Sequence, residues 1–207
     1  MLAVHHLSRP GLEPASFELG SGTCMALSGP SGAGKTLLLR ALADLDPAEG
    51  EIRLEGKARG QMSGPQWRRR VGYLPAEPGW WSERLEEHFL DWPIVAAQLG
   101  RVNLTPTVAE RPVSRLSTGE RQRLALLRAL ERAPRVLLLD EPTGPLDEEA
   151  TAAVEALIRE KLDNGLAVLW VTHDRRQAAR VATRHFRIEA GHLRPLTDDE
   201  IARQARR

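Results

Sequence analysis

The chain has 207 residues, of which 42% are hydrophobic and 28% charged, an ordinary globular composition with length enough to bury a core without metal or disulfide staples. Lys and Arg number 29 against 28 Asp and Glu, for a formal charge of +1, so the chain lacks the basic footprint of a nucleic-acid binder. Its single cysteine, Cys24, excludes an internal disulfide and a cysteine-based metal framework. Met1-Leu2-Ala3-Val4-His5-His6 is not a secretory signal. The longest apolar run, Leu166–Val171, has six residues, far short of the ~20 that span a bilayer. A soluble, cytoplasmic chain is expected. The basic residues are almost all arginine; Lys35, Lys57 and Lys161 are the three lysines.

The first block reads as short strands punctuated by Gly and Pro: Leu2–Leu7, Ser16–Leu19 and Thr23–Ser28, the last running into a glycine-rich turn. A helix is expected from Lys35 to about Asp44, with Leu38, Leu39 and Leu42 on one side. Glu51–Glu55 alternates as a half-exposed strand, and Val71–Leu74 is a short strand stopped by Pro75 and Pro78. From Glu83 to about Leu99 the pattern is helical, with Pro93 expected to kink or break it. Thr105–Pro112 is loop-like. A second helix is expected from Thr118 to about Arg132, with Ser117 as its N-cap. Val136–Asp140 is an apolar run ending in acid, as in a central parallel strand. A helix over Glu148–Asp163, a turn at Asn164-Gly165 and the strand Leu166–Val171 follow, then two short strands from Arg184 and a terminal helix. This order predicts an α/β fold: a mostly parallel sheet, a small antiparallel β part and an inserted helical subdomain. The expected organisation is a single domain over 1–207, with core residues 1–77 and 133–207 and helical subdomain 78–132.

Gly29-Pro30-Ser31-Gly32-Ala33-Gly34-Lys35-Thr36 matches G-x-x-x-x-G-K-[ST], a phosphate-binding loop between a strand and a helix. Its glycines let backbone N–H groups wrap a phosphate chain at a helix N-terminus, Lys35 reaches the β- and γ-phosphates, and the Thr36 hydroxyl suits Mg²⁺. These features predict a P-loop NTPase core. Val136–Asp140 then delivers Asp140 and Glu141 at the strand end where ligands bind. Asp140 is expected in the Mg²⁺ shell, and Glu141 is expected to orient or deprotonate the attacking water.

Leu116-Ser117-Thr118-Gly119-Glu120, followed by a helix, resembles the signature L-S-G-G-Q of the ABC-type ATPases. The order of features also resembles that family: phosphate loop, helical insert, signature, acidic strand, Pro145-Leu146-Asp147 as the D-loop, and His173 as the switch histidine. The resemblance covers essentially the whole chain. It implies an ATP- and Mg²⁺-dependent ATPase whose two subunits sandwich ATP head to tail. The phosphate loop of one subunit then faces Ser117, Thr118, Gly119 and Glu120 of the other. His173 would contact the γ-phosphate. A separate transmembrane subunit is the implied partner, with no nucleic acid, and the chain would lie peripherally on the inner face of the plasma membrane. The short insert and the Ala167–Asp174 stretch look similar to compact bacterial subunits assigned to iron or metal export.

Two positions depart from the family. Its Gln after the Val71–Leu74 strand, which ligands Mg²⁺ and senses the membrane partner, is here Ala76, so either water fills the place or Glu77 supplies an oxygen. The stretch Arg9-Pro10-Gly11-Leu12, where the family stacks adenine, has no aromatic. Trp80-Trp81 lies where a membrane subunit would dock; the alternative is packing within the helical insert. His5, His6, His88, His185 and His192 are read as surface residues. The rival function is a soluble ABC ATPase of an assembly system, such as iron–sulfur cluster biogenesis. A DNA-repair relative is disfavoured because Lys35 and Ser117 stand only 82 positions apart without heptads. A P-loop kinase or GTPase leaves the signature and His173 without a role.

Overall fold

A computed structural model describes residues 1–205; positions 206 and 207 of the expected span lie outside the described residues. β1 (Leu2–Arg9) and β2 (Leu12–Leu19) open the chain, and β3 (Cys24–Ser28) leads through the glycine-rich loop into α1 (Lys35–Leu42). β4 (Glu49–Leu54), β5 (Lys57–Ala58), α2 (Gly64–Arg70) and β6 (Val71–Leu74) follow. Between β6 and β7 (Val136–Asp140) lie α3 (Trp92–Ala96), several 3₁₀ turns and α4 (Thr118–Glu131). The chain continues through α5 (Glu148–Asp163), β8 (Ala167–Val171), α6 (Arg175–Val181), β9 (Arg184–Glu189), β10 (His192–Pro195) and α7 (Asp198–Ala205).

The strands sort into two sheets. One is antiparallel, ordered β2-β1-β4-β5; the other is ordered β10-β9-β3-β8-β7-β6 and is parallel from β9 to β6. Every residue of β7 and β8 is buried, as a parallel sheet covered on both faces requires. Leu38, Leu39 and Leu42 of α1 cover one face together with Met25, Leu27, Leu138 and Leu169. The other face carries Leu137, Leu139 and Val168, packed with Leu124 and Leu127 of α4 and Val154, Leu157 and Ile158 of α5.

The expected helix over Glu83–Leu99 does not form. Its place is taken by a 3₁₀ turn at Leu85–His88, the five-residue α3 and a further 3₁₀ turn at Leu99–Val102. Pro93 sits in the first turn of α3 behind the Asp91 cap. The N–H that proline lacks is one that the first turn of a helix leaves without an intrahelical partner, so Pro93 is tolerated at the start of a helix and does not interrupt one. Thr105–Pro112 contains a 3₁₀ turn at Pro106–Glu110.

Two helices were not anticipated. α2 is launched by a capping box, in which Gln66 Oε1 accepts from the Ser63 N–H at 2.9 Å. α6 is launched by Asp174, whose carboxylate accepts from the N–H groups of Arg176 and Gln177. Trp67 of α2 is fully buried, and its indole N–H donates to the Leu42 carbonyl at the end of α1 over 2.8 Å. Trp67→Ala should lower unfolding free energy by about 3–5 kcal/mol, read from denaturant midpoints, and Trp67→Phe by markedly less.

Candidate functional site

The phosphate loop owes its shape to two glycines. Gly29 adopts φ 151°, and a Cβ there would lie 2.2 Å from the Ile188 carbonyl oxygen of β9. Gly34 precedes α1 at φ 107°, where a Cβ would approach the Gly11 carbonyl to 3.0 Å. Pro30, Ser31 and Gly32 form the exposed lip, while Ala33 is buried and its carbonyl accepts from the Gly191 N–H at 3.1 Å. Lys35 is the buried first residue of α1. Its ammonium donates to the carbonyls of Gly29 (2.8 Å) and Pro30 (2.9 Å). Burial lowers the Lys35 pKa, and the charges of Glu141 and Asp140 oppose that shift.

β7 carries the acids to the same edge. Asp140 is buried and accepts from the Thr36 hydroxyl at 2.7 Å and from the Tyr73 hydroxyl at 3.4 Å. Burial, with the Asp140 charge beside it, raises the Tyr73 phenol. Glu141 has φ 48°, a left-handed conformation that non-glycine residues rarely adopt. Its N–H donates to the Val171 carbonyl at 3.1 Å, closing the end of β8. The Glu141 carboxylate accepts from the His173 N–H at 3.3 Å, and its other oxygen lies 3.1 Å from His173 Nε2. Burial raises the Glu141 pKa against the opposing charges of His173 and Lys35. Ser31, Gly32, Gly34, Lys35, Thr36, Asp140, Glu141 and His173 thereby line one cleft of ≈ 370 Å³.

The donor set fits Mg²⁺. Thr36 Oγ1 and Asp140 Oδ2 are hard oxygens already 2.7 Å apart. Mg²⁺ is held by one or two carboxylates together with substrate phosphates, and not by an all-protein cage. Among the described residues there is no cluster of three or more His, Cys, Asp or Glu that would make such a cage.

The remaining motif residues stand elsewhere. Ser117, Thr118, Gly119 and Glu120 form the first turn of α4. Ser117 Oγ accepts from the Glu120 N–H at 3.1 Å, and Glu120 Oε2 accepts from the Ser117 N–H at 2.8 Å. Gly119 packs against Pro145 and Leu146, so the signature and D-loop touch. Asp147 caps α5 by accepting from the Ala150 N–H at 2.8 Å. None of these residues lines the cleft that holds Lys35.

Ala76 lines that cleft, whereas Glu77 is exposed and lies outside its lining. The stretch from Arg9 to Leu12 borders a separate cavity of ≈ 620 Å³ with Pro47 and Ala48, again without an aromatic. The tryptophans divide their tasks. Trp80 packs partly buried against the core, while Trp81 is 68% exposed and borders a ≈ 430 Å³ cavity with Arg128 and Leu90. His88 is not a surface residue: it is buried with its ring against both tryptophans and Nε2 3.0 Å from the Ser82 carbonyl. Sequence reasoning also missed two partners of site residues. Tyr73 lies in a four-residue strand with no alternating pattern and gave no separate signal; Arg111, which pairs with Glu120, is one arginine among many.

The ABC transporter family profile matches residues 12–144, well over half of the chain. The hemin import ATP-binding protein HmuV of Streptomyces coelicolor is 36% identical over 93% of this chain and 74% of its own length. The probable iron export ATP-binding protein FetA of Escherichia coli is 33% identical over 79% of this chain and 78% of its own length. Some other curated relatives are spanned for only about half their length, as with 53% of protein STAR1 of rice. Among solved structures, the ATP-binding cassette MJ0796, a dimer in a post-hydrolysis state bound to ADP and Pi, superposes with TM-score 0.81 at 22% identity, over 95% of this chain and 99% of that one. The helix-flanked parallel sheet, the phosphate loop facing two acids and a histidine, and these relationships agree: the chain belongs to the ABC transporter family, as one of its ATP-binding, ATPase subunits.

Proposed function

We propose that this chain is the ATP-hydrolysing subunit of a transport system, acting as a head-to-tail dimer on a separate transmembrane subunit at the cytoplasmic face of the membrane. The observation that carries this reading is the convergence of Lys35, Thr36, Asp140, Glu141 and His173 on one cleft, with the signature turn of α4 outside it. Residues 1–207 then act as one ATP-binding domain, with 78–132 as its helical part.

The roles follow from position. The loop from Gly29 to Thr36 cradles the phosphates, and the buried Lys35 ammonium exchanges its two carbonyl partners for β- and γ-phosphate oxygens. Thr36 and Asp140 would hold Mg²⁺, which when bound would neutralise phosphate charge. Glu141, desolvated and therefore more basic than an ordinary glutamate, orients and deprotonates the attacking water. His173 contacts the γ-phosphate and holds Glu141. A second copy presents Ser117, Thr118, Gly119 and Glu120 to that γ-phosphate, with a helix N-terminus favouring the anion, and its Asp147 completes the interface.

The cavity beside Trp81 supports docking of the transmembrane subunit, since Trp81, Leu90 and Ile94 are large exposed apolar side chains on that part of the chain. Among the described residues no helix is long and apolar enough to cross a membrane. The named relatives span import and export, and both are named as ATP-binding proteins.

Glu141→Gln should lower ATP hydrolysis about 10²–10⁴-fold and trap an ATP-bound dimer in size-exclusion chromatography; a fully active monomer would refute the sandwich. Lys35→Arg should lower kcat about 10²-fold or more, because a rigid guanidinium replaces a compact point charge in a backbone cradle. With no aromatic for the base, ATP and GTP should be turned over within about tenfold of each other, since stacking is worth only ~0.5–1.5 kcal/mol; steady-state rates on both nucleotides check this.

A further inference from the structure

The first turn of α4 carries a charge that its function as read above does not need. Glu120 stands at the third helical position, where a glutamine amide would accept the Ser117 N–H as well as its carboxylate does at 2.8 Å. A carboxylate adds a full negative charge to the helix end that would receive a triphosphate, and opposes the roughly half positive charge of the helix dipole there. The Glu120 side chain is only 19% exposed, so water screens that charge poorly.

One cation answers it. Arg111, from the turn before the signature, places Nη2 on Glu120 Oε1, the oxygen not used by Ser117. Arg121 and Arg123 are tied to backbone instead, Arg123 feeling the Glu120 charge without an ion pair to it. Arg121 donates to the Leu116 carbonyl at 3.1 Å, and Arg123 to the carbonyls of Val102 (2.8 Å) and Asn103 (2.7 Å). Among the described residues, Arg111 is the only basic side chain in an ion pair with Glu120. Partial burial pushes the Glu120 carboxyl up, but Arg111 and the Ser117 N–H together hold it below the ordinary range, so it is ionised at neutral pH.

We propose that Arg111 is a positioning residue of the composite ATP site: by pairing with Glu120 it neutralises the signature turn, so that the turn accepts the γ-phosphate bound to a second copy. This rests on the head-to-tail reading above. Arg111 itself touches no phosphate; it acts through Glu120. Its removal therefore weakens association of two ATP-loaded subunits without weakening ATP binding to the phosphate loop of one.

The test uses the full chain in the Glu141→Gln background, with dimer Kd from sedimentation at saturating ATP·Mg and monomer ATP affinity from a fluorescent nucleotide. Arg111→Ala should raise the dimer Kd about tenfold or more with nucleotide affinity unchanged, and Arg111→Lys should recover part of the loss. Adding Glu120→Gln to Arg111→Ala should restore the Kd to within about threefold of the background. A dimer indifferent to Arg111→Ala, or a loss that persists when Glu120 is also Gln, overturns the inference, the latter because it would mean direct phosphate contact or a merely structural role. A background that forms no ATP dimer at all overturns instead the head-to-tail reading beneath it.

Discussion

A single hydrogen bond of 2.7 Å, from the Thr36 hydroxyl to the Asp140 carboxylate, joins residues 104 positions apart and holds the two halves of the site together. It exists because β3 and β7 run parallel and end at the same edge, with β8 between them. α1 leaves the end of β3 and packs across to β7 on Leu38, Leu39 and Leu42, all fully buried. The hydrophobic layer between helix and sheet thus sets where a hydroxyl and a carboxylate meet. In a close-packed core that separation is held to fractions of an ångström, which is the tolerance a hard cation demands.

The same edge concentrates negative charge that the fold must balance. Asp140 is buried and Glu141 lies beside it in a strained left-handed turn. Lys35 and His173 face them, and the glycine-rich loop brings its backbone around the same space. The signature turn, by contrast, projects from the other end of a long insert and touches the D-loop. In the head-to-tail reading proposed above, this split gives each copy a phosphate loop and, apart from it, a helix end, and ATP bridges the loop of one copy to the helix end of the other.

Legibility in the sequence followed how local the cause was. The phosphate loop, the acidic strand and the cap of α4 were readable because each is a short run whose chemistry is self-contained. Val136–Asp140 and the helix Glu148–Asp163 have the expected bounds, since burial on both faces of the one and the clear period of the other leave little choice. The insert was not legible. Its apolar residues Leu85, Val95, Leu99 and Val102 are all buried, as a helical pattern implies, yet they are delivered by short turns held by tertiary contacts. Arg123, bonding the carbonyls at 102 and 103, is one such contact that no local pattern announces. His88 was misread for the same reason: only the fold shows two tryptophans closing over it. α2 was not legible for a different reason: Ser63 and Gln66 form a capping box, but Trp67 is the single buried residue of the helix, so no apolar period follows the cap.

The scarcity of lysine, obscure in the composition, becomes intelligible from burial. Lys57 is exposed at the start of β5, and Lys161 lies in the last turn of α5, where any cation complements the helix end; arginine would serve at either place. Lys35 alone is buried, its ammonium between two backbone carbonyls and facing two acids. Desolvation there lowers its pKa, as burial does for any cation, and Glu141 and Asp140 oppose the loss of charge. A guanidinium resists deprotonation better, but its planar fork needs acceptors spread in one plane. The cradle offers oxygens on the curve of a loop, and a phosphate chain would offer the same. Three rotatable donors on a compact head can pass from the first set to the second without moving the helix that carries them, and this is the property that arginine lacks.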